Sequence, residues 1–233
     1  MKTIRKKIKS FSTAFAILLL LPIFIVPMHH APVSPAYSLL ALGDSYTIGE
    51  SVPPADNFPN QVHRLLQEKG LSFRQPEIIA QTGWTTDELQ DAIRQAGITG
   101  TYDFVTLLIG VNNQYRGRDT AGYAPQFESL LQQAIAFAGH QPGHVIVLSI
   151  PDWGITPFAA GRDREQIGRE IGAFNVVNKR LAADYQAHYI DITPGTRRAA
   201  ADPSLLAGDG LHPSGKEYAG WATQVAAIIE KQL

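Results

Sequence analysis

The sequence predicts one three-layer α/β/α domain over residues 37–233, built on a mainly parallel sheet of about five strands, behind a 36-residue N-terminal segment. Three observations carry this. Short apolar runs alternate with stretches of helical periodicity five times along the chain. Strands joined through helices need right-handed crossovers and hence a parallel sheet. The 233 residues, 45% hydrophobic and 18% charged, suit one domain with a sizeable core and exclude a disordered chain.

In chain order, residues 38–42 are an apolar run ended by Gly43, which reads as a buried strand. Phe58, Val62, Leu65 and Leu66 recur at helical spacing, and Gly70 closes that helix. Residues 77–80 form a second strand, and Thr85 with Glu88 makes a capping box that opens a helix to about Ala96. Residues 104–109 are a third strand, residues 123–138 a helix, and residues 144–150 a fourth strand rich in Val and Ile. A long helix over 165–185, a strand over 189–192 and a last helix over 214–231 complete the pattern.

Charge is distributed unevenly. Five of the 20 basic residues precede residue 10, the first acid is Asp44, and residues 37–233 hold 15 basic against 21 acidic residues, a net of −6. Such a body repels phosphate backbones, so no nucleic-acid partner is expected. The basic cluster precedes an almost wholly apolar stretch over 11–28 and the small residues Ser34-Pro35-Ala36, the pattern of a secretory signal cleaved after Ala36. The alternative is an uncleaved membrane anchor, since 18 helical residues span roughly 27 Å of a ~30 Å hydrocarbon core. Either reading exports the body, and the membrane is touched only through this segment if it stays. His29 and His30 have no partner ligand near them in the sequence and are expected to hold no metal. Without cysteine there is no disulfide, thiolate metal site or Cys nucleophile.

In parallel sheets functional groups gather outside the carboxyl ends of the strands. Gly43-Asp44-Ser45-Tyr46-Thr47 follows the first strand, Gln81-Thr82-Gly83-Trp84 the second and Gly110-Val111-Asn112-Asn113 the third, while Asp209-Gly210-Leu211-His212 precedes the last helix. A lone Gly-Asp-Ser arises by chance in roughly one such chain in twenty; four ordered blocks on one sheet edge do not. Together they resemble the SGNH hydrolases, the GDSL esterase/lipase family, over the whole of residues 37–233. That resemblance implies a flavodoxin-like fold and an ester-hydrolysing serine enzyme without metal or cofactor. It also implies that Ser45 is the nucleophile, His212 the base and Asp209 the acid that orients it. The Ser45 and Gly83 N–H groups and the Asn112 amide are the implied oxyanion donors.

The chemistry of these residue types agrees. A serine hydroxyl needs a base to take its proton, imidazole ionises near working pH, and a carboxylate fixes the imidazole tautomer. Asp191, at the end of a strand, is the rival acid, and Asp44 reads as a turn residue. Three departures from the family pattern stand out: Asn113 occupies the usual aspartate position, which touches the support of that loop, Gln81 and Thr85-Thr86 flank Gly83 in place of the commoner Asn and further Gly, and Tyr46 replaces the Leu of the family's nickname. Thr47 is not Gly, so the Gly-x-Ser-x-Gly elbow of the rival α/β-hydrolase fold is absent.

Tyr46, Trp84, Tyr115, Trp153 and Phe158 are candidates to line the substrate pocket, against the alternative that they pack loops onto the sheet. Arg116, Arg118 and Arg162 read as solvated, against the alternative that they hold an anionic substrate group. The expected substrate is a small-molecule or glycan ester, with acetyl on carbohydrate leading. A lipase, lysophospholipase or thioesterase is the enzymatic alternative, and a non-catalytic carbohydrate-binding protein on the same scaffold the other. A two-metal phosphodiesterase lacks its cluster of carboxylates and histidines.

Overall fold

The computed structural model describes residues 36–233; the expected leader and the His29-His30 pair lie outside the described residues. Five strands form one sheet: β1 (Leu39–Asp44), β2 (Glu77–Gln81), β3 (Phe104–Leu108), β4 (Val145–Leu148) and β5 (His188–Ile190). Their order is β2-β1-β3-β4-β5, and every pairing is parallel. Every residue of β1, β3 and β4 is buried, which is why these strands read as unbroken apolar runs rather than alternating ones. Edge strand β2 is only half-buried.

The helices are α1 (Ser45–Ile48), α2 (Phe58–Glu68), α3 (Thr86–Ala96), α4 (Val111–Tyr115), α5 (Thr120–Phe137), α6 (Arg164–Asp184), α7 (Thr193–Arg197) and α8 (Gly215–Gln232). One outer layer pairs α2 with α8, where the Phe58 and Trp221 rings lie 6.2 Å apart. The other sets α5 between α3 and α6, with Tyr123 against Phe174 at 4.6 Å. Among the described residues no helix is long and apolar enough to cross a membrane.

All ten expected elements are present, with ends shifted by a few residues. The largest shift is at α5, which starts at Thr120 rather than residue 123 because Asp119 caps it, accepting the Gly122 N–H at 2.8 Å. The chain runs from β1 outward to β2, then crosses back to β3 on the other side of β1. That reversal opens a crevice at the carboxyl ends of β1 and β3. Two short helices with no counterpart in the expected pattern, α1 and α4, start there.

Candidate active site

Asp44 ends β1 and caps α1: its Oδ1 accepts the Tyr46 N–H at 3.0 Å. Ser45 is therefore the first residue of a helix that springs directly from the interior strand β1, and Gly43 makes this possible. A Cβ on Gly43 would stand 2.4 Å from Leu108 O and 2.1 Å from Thr47 Oγ1. Ser45 Oγ lies 3.0 Å from His212 Nε2, and His212 Nδ1 lies 2.6 Å from Asp209 Oδ2. The carboxylate can only accept, so Nδ1 carries the proton and Nε2 is left to accept from Ser45. Asp209 Oδ1 takes the backbone N–H groups of Leu211 and His212, each at 3.0 Å.

One carboxylate thus both folds the loop and orients the ring. Partial burial of Asp209 opposes its ionisation. Donors on His212, Leu211 and Ser51 outweigh that and hold its pKa down at about 2. Ser51 Oγ donates to Asp209 Oδ2 at 2.8 Å. Asp191, the rival acid, is engaged elsewhere, accepting from Ser149 Oγ and the Thr193 N–H, each at 3.1 Å.

The two expected oxyanion elements border the same crevice. Gly83 turns the chain after β2 at φ +86, with only Arg116 Nη2, at 3.8 Å, near the place of a Cβ. Glycine is needed here for its dihedral rather than for lack of room. The turn is clamped, because Arg116 donates to Gly83 O at 2.7 Å and to Glu88 Oε1 at 3.0 Å. Arg118 pairs with Asp87 at 2.6 Å, and that guanidinium lowers the Asp87 pKa to about 2. Both arginines stay exposed, as expected, and their guanidinium groups also tie the segment after β3 to the start of α3.

Asn112 sits in the first turn of α4, and its amide donates to Trp84 O at 3.0 Å and to Asp44 Oδ2 at 3.3 Å. Asn113 is fully buried. Its Oδ1 accepts the Thr86 N–H at 3.1 Å, while its Nδ2 donates to Thr86 Oγ1 at 2.8 Å. The amide in place of the family's carboxylate supports this loop fully, because Thr86 hands its own hydroxyl proton to Gln126 at 2.5 Å.

Ser45, Gly83, Asn112 and His212 open onto a cavity of about 180 Å³, walled by Tyr46, Val111, Tyr115, Trp153, Phe158 and Leu211. Tyr46 packs against the His212 ring at 4.9 Å. Trp153 is held by its indole N–H, which donates to Gln114 Oε1 at 2.7 Å. Tyr115 and Phe158 are 43% and 44% exposed and form the rim. The Arg162 guanidinium lies 5.2 Å from the Tyr115 ring centroid and 5.5 Å from that of Trp153. Trp84 is the exception among the expected pocket residues: it packs half-buried on the core and offers the cavity no wall. Val111, Leu211 and Ser51 escape sequence reasoning. Leu211 carries a signal, lying between Asp209 and His212; Ser51 carries none.

A serine–imidazole–carboxylate chain at the switch point of a parallel α/β/α sheet defines a class, the serine hydrolases of three-layer fold. Within that class the sequence is specific: residues 41–219 match the model of the GDSL-like lipase/acylhydrolase family, and the chain belongs to that family. It is an ester-hydrolysing enzyme. No curated protein matches the sequence.

Solved structures share the fold at low identity. The lipase/acylhydrolase from Enterococcus faecalis is 20% identical, with TM-score 0.62 over 84% of this chain and 97% of that one. Axe2, an acetylxylan esterase from Geobacillus stearothermophilus, is 20% identical, with TM-score 0.64 over 83% and 94%. The psychrotrophic esterase EstA from Pseudoalteromonas sp. is 15% identical, with TM-score 0.61 over 84% and 97%.

Proposed function

We propose that this enzyme is an exported or membrane-anchored esterase that removes short acyl groups, acetyl first among them, from a carbohydrate. The observation that carries this reading is the Ser45–His212–Asp209 chain opening onto a cavity of about 180 Å³, below the ~300–1,000 Å³ of sites for drug-sized ligands. That space suits an acetyl group and the edge of a ring, not a long acyl chain. Tyr115 and Phe158 are exposed at its rim and offer aromatic surface on which a sugar ring can pack. The fold shared with an acetylxylan esterase is consistent with this choice. Export rests on the basic and apolar pattern of residues 1–36.

In this reading Ser45 Oγ attacks the ester carbonyl carbon while its proton passes to His212 Nε2, and Asp209 stabilises the resulting imidazolium. The carbonyl oxygen becomes an oxyanion, met by the Ser45 and Gly83 N–H groups and by Asn112, which gives up its longer bond, to Asp44, to reach it. His212 then protonates the leaving alcohol oxygen as the C–O bond breaks, leaving the acyl group on Ser45. Water attacks the acyl-enzyme, giving its proton to His212; the acid leaves and Ser45 recovers its proton.

The test is expression of the full chain, the N-terminal sequence of the recovered protein, and hydrolysis of p-nitrophenyl esters from acetate to palmitate beside Ser45→Ala. A first residue of Tyr37, or an intact chain in the membrane fraction, fits export; a soluble intact cytoplasmic chain does not. Rates that fall with chain length and vanish in Ser45→Ala support the reading, and release of acetate from acetylated xylan completes it. A preference for palmitate would move the substrate to lipids, and rates unchanged in Ser45→Ala would remove Ser45 from the chemistry.

A further inference from the structure

Ser51 is one of three non-glycine residues with positive φ among the described residues, at +66°. L-residues enter this left-handed region at a cost that glycine avoids. The turn that holds it has no room to relax. The Gly49 and Glu50 N–H groups both donate to the carbonyl of Ser45, at 3.1 and 3.0 Å. Asn57 Nδ2 donates to Ile48 O at 3.0 Å, and a Cβ on Gly49 would stand 2.5 Å from Asn57 Cβ.

From this turn, anchored to the nucleophile's own carbonyl, the Ser51 hydroxyl crosses to Asp209 Oδ2. That is the oxygen that also accepts His212 Nδ1–H. A carboxylate has about four lone-pair sites, and the donors on Asp209 are four: Ser51, His212 Nδ1 and the backbone N–H groups of Leu211 and His212. Glycine would sit at this φ without strain, so what serine contributes is its hydroxyl.

We propose that Ser51 is a positioning residue for ester hydrolysis, its hydroxyl fixing the Asp209 carboxylate against the His212 ring and drawing off part of its charge. This rests on the reading of Ser45, His212 and Asp209 as the reacting chain. Removing the hydroxyl returns charge to the oxygen that faces the imidazole. The imidazolium is then stabilised more, and the base loses its proton only at higher pH. The titratable groups facing this pair are Tyr46, packed on the His212 ring, and Tyr218 on α8, and Asp44, Asp152 and Glu50 in turn face those two tyrosines. None of them bonds Asp209 among the described residues.

The experiment compares Ser51→Ala and Ser51→Gly with the wild type in two readouts. One is the pH profile of kcat/KM on p-nitrophenyl acetate. The other is the NMR titration of the His212 ring, assigned by its loss in His212→Gln. Because Ser51 is exposed and water replaces part of the bond, both variants are expected to move the acid limb and the ring midpoint up by ~0.3–0.5 pH unit. A lower plateau with an unmoved limb would mean a structural role only and overturns the proposal. So does a wild-type-like Ser51→Gly beside an impaired Ser51→Ala, which would trace the effect to backbone strain. If Ser51→Ala fails to fold, Ser51→Gly, unstrained at this φ, decides alone. The ring titration needs no turnover: a wild type inert on every ester defeats the esterase reading, while the midpoint still tests Ser51.

Discussion

Asn112 makes its bonds in the crevice with an amide that has only two hydrogens. One goes to Trp84 O at 3.0 Å and the other to Asp44 Oδ2 at 3.3 Å. The first is a good hydrogen bond and the second a long one, so the side chain is held in place by one partner and lent to the cavity by the other. In the proposed reaction its value as an oxyanion donor lies in being preorganised, since no reorientation is then required as charge develops. Asn112→Ala is expected to lower kcat by ~10²–10³-fold with little change in KM, because the oxyanion exists only after attack. Steady-state kinetics on p-nitrophenyl acetate reads this directly; a rise in KM at constant kcat would make Asn112 a ground-state binder instead. Its block and its place after β3 were legible in the sequence. The bond to Asp44 was not, because it joins residues 68 apart through a sheet whose strand order periodicity does not encode.

Three ties hold the start of α3 against the segment after β3: Asn113 to Thr86, Arg118 to Asp87, and Arg116 to both Glu88 and Gly83. Gly83 and Asn112, carried by different strands, keep their spacing through these ties. The arginine pairs are roughly 40% exposed on each side and contribute little to stability, whereas Asn113 is fully buried. Asn113→Ala leaves the Thr86 N–H without its cap and is expected to cost about 1–3 kcal/mol, measured as a lower denaturant midpoint with an unchanged m-value. A neutral result would assign the support to the arginines.

The long helices were legible as periodic patterns of 11 or more residues, the buried strands as unbroken apolar runs that need no periodicity, and the capping box by its residue types at Thr85 and Glu88. The helices α1 and α4, of four and five residues, are too short for any periodicity to register. Asp44 and Gly110 set them off, through a cap and through a φ of +128° where a Cβ would strike the Tyr123 hydroxyl. The elements that present Ser45 and Asn112 are therefore those least visible in the sequence.

Over the whole molecule, the dependence of stability on pH follows from where the carboxylates ended up. Asp44 is fully buried, and burial raises its pKa from 3.8 to about 7. Below 3.8 it is protonated in both folded and unfolded chains. Between 3.8 and about 7 the unfolded chain has released the proton while the folded one keeps it, so each step up in pH favours unfolding. Across that interval, at about 1.4 kcal/mol for each pH unit, the loss is at most roughly 4 kcal/mol. Glu217, buried beneath α7, is raised for the same reason and adds in the same direction.

Asp209 and Asp87 run the other way. Both are held at about 2, so their contribution is complete above the ordinary carboxylate range and disappears as pH falls from there toward 2. Growing net negative charge on a body with 21 acidic against 15 basic residues also weakens the fold as pH rises. The melting temperature of residues 37–233 is therefore expected to peak at about pH 4–5 and to decline toward pH 8. In Asp44→Asn, which keeps an acceptor for the Tyr46 N–H and has no proton to lose, that decline should flatten. Thermal melts of both proteins across this range decide it. A wild type that gains stability from pH 5 to pH 8, with Asp44→Asn following the same curve, would mean that Asp44 ionises in the folded protein as an ordinary carboxylate. The bond from Asn112 to Asp44 would then be an ion–dipole contact at all working pH values rather than one that weakens as Asp44 takes up its proton.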